Sequence, residues 1–83
     1  MELETIKTKV KEVIQQVTGI DPATISDAAG YVDDLGLDSL AILEIAVAVE
    51  NHFKIHASDE ELGAIRTVED TISLVQRMCV EVA

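Results

Sequence analysis

Asp33-Asp34-Leu35-Gly36-Leu37-Asp38-Ser39-Leu40 is an acidic turn that delivers one serine to the start of an apolar helix. Gly36 supplies backbone freedom that a bulkier residue lacks, and Asp38, directly before an apolar-periodic run, has the chemistry of a helix N-cap. With Asp38 as the cap, its carboxylate accepts from the free N–H groups of the first turn. The Ser39 hydroxyl then sits at the first helical position with no structural duty. A hydroxyl in that state is open to modification, and the partial positive charge of a helix start favours an added anion by ~0.3–1 kcal/mol. The carboxylates of Asp33, Asp34 and Asp38 oppose that. Taken alone, Asp-Ser is no more than a capping pair.

Working outward, the periodicity predicts a helix over about 39–52. Ile42, Ile45, Ala46, Val49 and Phe53 cluster on the side that faces the core. Nearly opposite, Leu40, Glu44, Val47 and Asn51 form a second patch, with exposed apolar groups beside a carboxylate. Leu40 and Val47 read most simply as scattered surface residues, but they stand one helical repeat apart and next to Ser39.

Upstream, Leu3, Ile6, Val10, Val13, Ile14 and Val17 predict a helix over about 3–17, closed by Thr18-Gly19 and kept closed by Asp21-Pro22. The connection from about 18 to 38 is long for a helix-to-helix loop. Ile20, Ile25, Tyr31, Val32, Leu35 and Leu37 recur through it, which predicts a loop pinned onto the core, with any disorder limited to Ala28-Ala29-Gly30. Downstream, Ser58-Asp59-Glu60-Glu61 has the form of a capping box and Gly63 soon ends the helix it starts. Thr67-Val68-Glu69-Asp70 opens a last helix over roughly 68–80, with Val68, Ile72, Val75, Met78 and Cys79 as its core positions. No strand pattern, repeat or low-complexity tract interrupts this reading. The expected fold is an all-α bundle of three longer helices plus one short helix, formed by residues 1–83 as a single domain.

Composition narrows the function. At 83 residues the chain is near the size where one core is only just sufficient. With one Tyr, one Phe and no Trp, that core must be aliphatic. A single cysteine excludes an internal disulfide, and no apolar run has the length of a signal peptide or membrane span, so a reducing cytoplasmic location is expected. A monomer is expected as well. The net charge of −10 argues against nucleic acid and favours partners with basic patches. A calcium loop counted from Asp34 fails, because Ser39 and Ile45 fall at the required glycine and glutamate positions; no metal ligand set is expected. A serine hydrolase fails too. The only histidines, His52 and His56, lie past a helix length of roughly 20 Å from Ser39 at ~1.5 Å per residue, so no catalytic residue is assigned. Cys79 reads as a small core residue.

In its wider context, Asp34-Leu35-Gly36-Leu37-Asp38-Ser39-Leu40 resembles the attachment motif of acyl carrier proteins. Tyr31-Val32-Asp33, Glu44, Phe53, Asp59-Glu60-Glu61 and Thr67-Val68 fall where that family has similar residues, so the resemblance covers nearly the whole chain. It implies a carrier, not an enzyme. A phosphopantetheinyl transferase would link 4′-phosphopantetheine to Ser39, and the arm's thiol would carry acyl groups between acyl-transfer and chain-elongation enzymes of fatty-acid, polyketide or related lipid synthesis. By the same resemblance, Asp38, Leu40, Glu44 and Val47 would face those partners. The chain departs from typical fatty-acid carriers at Ala41, Asn51 and His52, where acids are common, and at Ala57-Ser58-Asp59, which replaces the usual Ile-Pro-Asp. A specialised lipid pathway fits these departures, and an aminoacyl or peptidyl carrier fits less well. The competing class is an acidic helical interaction module that is never modified.

Residues 12–53 hold eight acids and no Lys or Arg. These should repel one another more in the compact chain than in the expanded one, and salt shortens their reach to a Debye length of about 8 Å at physiological ionic strength. The melting temperature, followed by circular dichroism, is expected to rise from low to moderate NaCl. A flat or falling trend would show that the acids are already compensated.

Overall fold

The structure, a computed structural model, describes residues 2–80, with side chains as far as Met78. Helix α1 (Leu3–Thr18) buries Ile6, Val10, Val13 and Ile14, the middle of the expected stripe, while Leu3 remains 40% exposed at its first turn. It ends where Gly19 takes φ +81° and donates its N–H to Gln15 O at 2.7 Å. Only a residue without Cβ enters that left-handed turn at no cost. Pro22–Thr24 then makes one 3₁₀ turn, opened by Asp21, whose Oδ1 accepts from Ala23 N.

Three further helices complete the all-α bundle: α2 (Ser39–Phe53), short α3 (Asp59–Gly63) and α4 (Val68–Val80). Helix α1 packs on both α2 and α4, and α2 packs on α4. On α2 the core side is Ile45, Ala46 and Val49, with Ile42 and Phe53 partly buried against it, as the periodicity predicts. The capping box of α3 is present, with Ser58 Oγ accepting from Glu61 N and Glu61 Oε1 accepting from Ser58 N, both at 3.1 Å. A reciprocal pair opens α4: Thr67 Oγ1 accepts from Asp70 N, and Asp70 Oδ2 accepts from Thr67 N and Arg66 N. Helix α4 buries Leu74 and Thr71 in addition to Val68, Ile72 and Val75. It contacts two helices at once, so its buried arc is wider than the stripe the spacing defines. Cys79, expected in the core, lies outside the described side chains.

The 18–38 connection is anchored along its length, and two expectations about it need correction. Ala28-Ala29-Gly30, where disorder was allowed, is bonded to the start of α4. Tyr31 N donates to Arg66 O (3.0 Å) and Val68 N to Ala29 O (2.9 Å), making an isolated antiparallel bridge between Gly30 and Thr67. Ala29 is buried, and Gly30 N donates to Asp34 Oδ2 at 2.6 Å. Ile25 and Tyr31 are buried and Ile20, Leu35 and Leu37 pack on the core, but Val32 is 59% exposed. The cause is the helical turn after Gly30, where Asp34 N and Leu35 N both donate to Gly30 O. In such a turn neighbours point about 100° apart, so once Tyr31 faces inward Val32 faces out. The loop is also tied to α1 by Asp27, whose carboxylate lies 2.6 Å from Lys11 Nζ and 2.9 Å from Lys7 Nζ. The hydrogen bonds from Lys11 and Lys7 hold the Asp27 carboxyl below its usual pKa, so one of the eight acids is compensated by bases from outside its span.

Tyr31 is fully buried, and its hydroxyl shares a 2.5 Å hydrogen bond with Thr71 Oγ1 on α4. Burial pushes its pKa up to about 12, from an ordinary 10. Because the folded-state value is raised, the folded chain keeps a proton that the unfolded chain releases. The phenol's contribution is therefore complete below pH 10 and lost as pH rises toward about 12. Tyr31→Phe is expected to cost ~1 kcal/mol at neutral pH, the net worth of one buried hydrogen bond, and to lose less than wild type between pH 10 and 12. Urea denaturation at neutral and alkaline pH measures both; equal losses in the two proteins would place the alkaline titration elsewhere.

Candidate functional site

The serine turn is built backwards from Tyr31. Leu37 N donates to Tyr31 O at 2.9 Å and Gly36 N to Val32 O at 3.2 Å, so the chain leaving the buried tyrosine folds back before α2 begins. Gly36 takes φ +67° at the reversal. Leu35 and Leu37 stay partly buried against the core on either side of it. Asp38 is extended (φ −94°, ψ 177°) and its Oδ1 accepts from Ala41 N at 2.9 Å, while its carbonyl accepts the first helical bond from Ile42 N. The cap is therefore Asp38. Ser39 is exposed at the first position of α2, and among the described residues its hydroxyl makes no hydrogen bond.

Ser39 opens onto an apolar groove of about 380 Å³ between α2 and α3, walled by Ile42, Leu43, Leu62 and Ile65. A second groove of about 340 Å³ runs from Ser39 along the loop side, past Val32 and Asp33. The hydroxyl thus stands where a flexible group attached to it has an apolar cleft on two sides. Its ionic surroundings are mixed. Asp33 and Asp59 each line one groove, and Arg66 lines both.

The other residues singled out from the sequence lie along the outside of α2. Leu40 is 63% exposed and Val47 is 44% exposed, with Glu44 and Asn51 also exposed. Leu43, 50% exposed, joins them and was not singled out. Angular stepping leaves it between the two faces, and only the position of α3 shows that it is the rim of the groove. Arg66 was missed for a stronger reason. It is distant in sequence, and the bond from Tyr31 N to Arg66 O is what brings it to the serine. His52 and His56 are exposed at the far end of α2, where His52 stacks edge-on against Phe53 and His56 lies 3.8 Å from Glu50. Neither reaches Ser39. No group of three metal-ligating side chains occurs among the described residues, and no described helix is long and apolar enough to cross a membrane.

A family model described as the phosphopantetheine attachment site matches residues 8–75. The meromycolate extension acyl carrier protein of Mycobacterium leprae is 40% identical over 75 residues, which cover 90% of this chain and 65% of that protein. The chain thus spans about two-thirds of the length of that relative. The acyl carrier protein of Rhodococcus erythropolis is 36% identical over 90% of this chain and 82% of its own length. That of Solidesulfovibrio magneticus is 40% identical over 88% of this chain and 94% of its own length.

Proposed function

The chain belongs to the acyl carrier protein family, whose cofactor is a covalent 4′-phosphopantetheine, and we propose that Ser39 is the residue that receives it. The observation that carries this reading is an exposed hydroxyl, relieved of capping by Asp38, at the mouth of an apolar groove. A phosphopantetheinyl transferase would form the new P–O bond at Ser39 Oγ as the pyrophosphate P–O bond of a phosphopantetheine-nucleotide donor breaks, with the hydroxyl proton passing to a base and the nucleotide leaving on its own phosphate. The arm supplies a terminal thiol on which acyl groups are held as thioesters. Residues 1–83 would act as one carrier domain, a monomeric cytoplasmic substrate of other enzymes.

The groove supports an acyl cargo. Ile42, Leu43, Leu62 and Ile65 offer apolar wall next to the attachment point, and burying a chain there gains ~0.8 kcal/mol per methylene. Relatives named for meromycolate extension fit a cargo handled by chain-elongation enzymes of lipid synthesis. The partners would grip the outside of α2, with Leu40 and Val47 in apolar contact and Asp38 and Glu44 paired with Arg or Lys of a basic patch. A carrier must leave one enzyme for the next, so this contact is small and weak, with charge mainly speeding encounter.

Intact mass after co-expression with a phosphopantetheinyl transferase tests the attachment. Wild type is expected to gain the mass of one phosphopantetheine, and Ser39→Ala to lose that gain while keeping its helicity. A wild-type chain left unmodified by several active transferases would leave the alternative, an unmodified acidic interaction module.

Val47→Glu tests the partner face. Transfer from a cognate elongation enzyme is expected to slow, while melting shifts by no more than ~0.5 kcal/mol, as for most exposed substitutions. Glu44→Lys is expected to slow it most at low salt, where charge steering is strongest. Wild-type rates in both variants would move recognition to the loop or to α3.

A further inference from the structure

The two grooves meeting at Ser39 share Ser39, Ile42, Ile65 and Arg66. Of these only Arg66 is charged, and among the described residues no other Lys or Arg lines either groove. We propose that Arg66 is a positioning residue for the anionic phosphodiester at Ser39, holding the root of the arm between the two grooves. This rests on Ser39 being the attachment residue.

The argument is one of charge and of placement. A phosphodiester at Ser39 is a fixed negative charge added beside Asp38, with Asp33 on one groove and Asp59 on the other. The helix start offsets only part of this, and one of its free N–H groups, that of Ala41, is already taken by Asp38. Among the described residues that line the two grooves, Arg66 is the cation able to balance the new charge. Its backbone is clamped on both sides: N donates to Asp70 Oδ2 at 2.9 Å, and O accepts from Tyr31 N at 3.0 Å. Its side chain is steadied by a single bond, from Nη1 to Gly63 O at 2.9 Å. A guanidinium carries five N–H donors in a fixed fork, so four remain. Among the described residues, no carboxylate lies within ion-pair distance of it. An Arg in that state matches a phosphate oxygen pair in geometry as well as charge.

The test uses the full chain as wild type, Arg66→Gln and Arg66→Lys, each loaded by a phosphopantetheinyl transferase and checked by intact mass. The readouts are the ³¹P resonance of the loaded proteins at low and high NaCl, and the Arg66 Nε–Hε resonance of wild type before and after loading. The Nε–Hε resonance is expected to move on loading. The ³¹P resonance is expected to be displaced in Arg66→Gln, to return toward wild type in Arg66→Lys, and in wild type to drift toward the Arg66→Gln position as salt rises. A merely structural arginine predicts none of this pattern. Coincident ³¹P resonances for loaded wild type and Arg66→Gln at low salt would overturn this inference alone. A wild-type chain that gains no mass would overturn the attachment reading and this inference with it.

Discussion

The burial of Tyr31 against α4 is the constraint on which the site depends. Its hydroxyl is satisfied by Thr71, its N–H by Arg66 O, and its carbonyl by Leu37 N. One residue thereby joins the middle of a long connection to α4, to the strand-like segment before α4, and to the turn that starts α2. An unpaired phenol or peptide group at that depth would cost about 1–3 kcal/mol, so all three partners are held in place together. Ser39 inherits its position from this arrangement. It stands two residues beyond the carbonyl-bound Leu37, at the point where the backbone is released into a helix.

The same fold resolves a conflict between electrostatics and packing. A small aliphatic core leaves little surplus stability, and a chain with net charge −10 repels itself. Part of the excess is put to structural use. Asp38, Asp34, Asp70, Glu61 and Glu50 all accept backbone N–H bonds at turns or helix starts. Asp27 is paired with Lys7 and Lys11, which lie outside the span that holds no Lys or Arg. Glu44, by contrast, is exposed on the outside of α2. Carboxylates that cap need not be neutralised, because partial charges of the backbone already face them.

A division of labour follows along α2. Its inner side is committed to α1 and α4, its first turn presents a hydroxyl, its outer side exposes Leu40 and Val47, and Leu43, between the two sides, forms the rim of the groove. Leu40 and Val47, exposed on the same helix, lie outside the buried core. Helix α3, only five residues long, stands across a groove instead of sealing against α2. The cleft beside the serine therefore exists because a short helix cannot close it.

Local chemistry was legible in the amino-acid order. The four helices, the Asp38 cap, the Ser58–Glu61 box and the core side of α2 all follow from spacing and from side chains that bond within a few residues of themselves. The exposed serine and the outer patch of α2 were legible for the same reason, since helical periodicity assigns faces without knowledge of what covers them. What the order alone could not decide was everything that depends on two distant segments meeting. Val32 was expected inward, because apolar character marks a preference for burial and not the direction a turn will give it. Ala28–Gly30 looked loose, because small residues carry no sign of the backbone bonds that Arg66 and Val68 provide. Arg66 beside Ser39, the breadth of the buried face of α4, and the groove itself arise only when the connection docks on α4. Periodicity reports on neighbours along the chain; a site assembled from a loop, a helix start and a second loop is specified by packing.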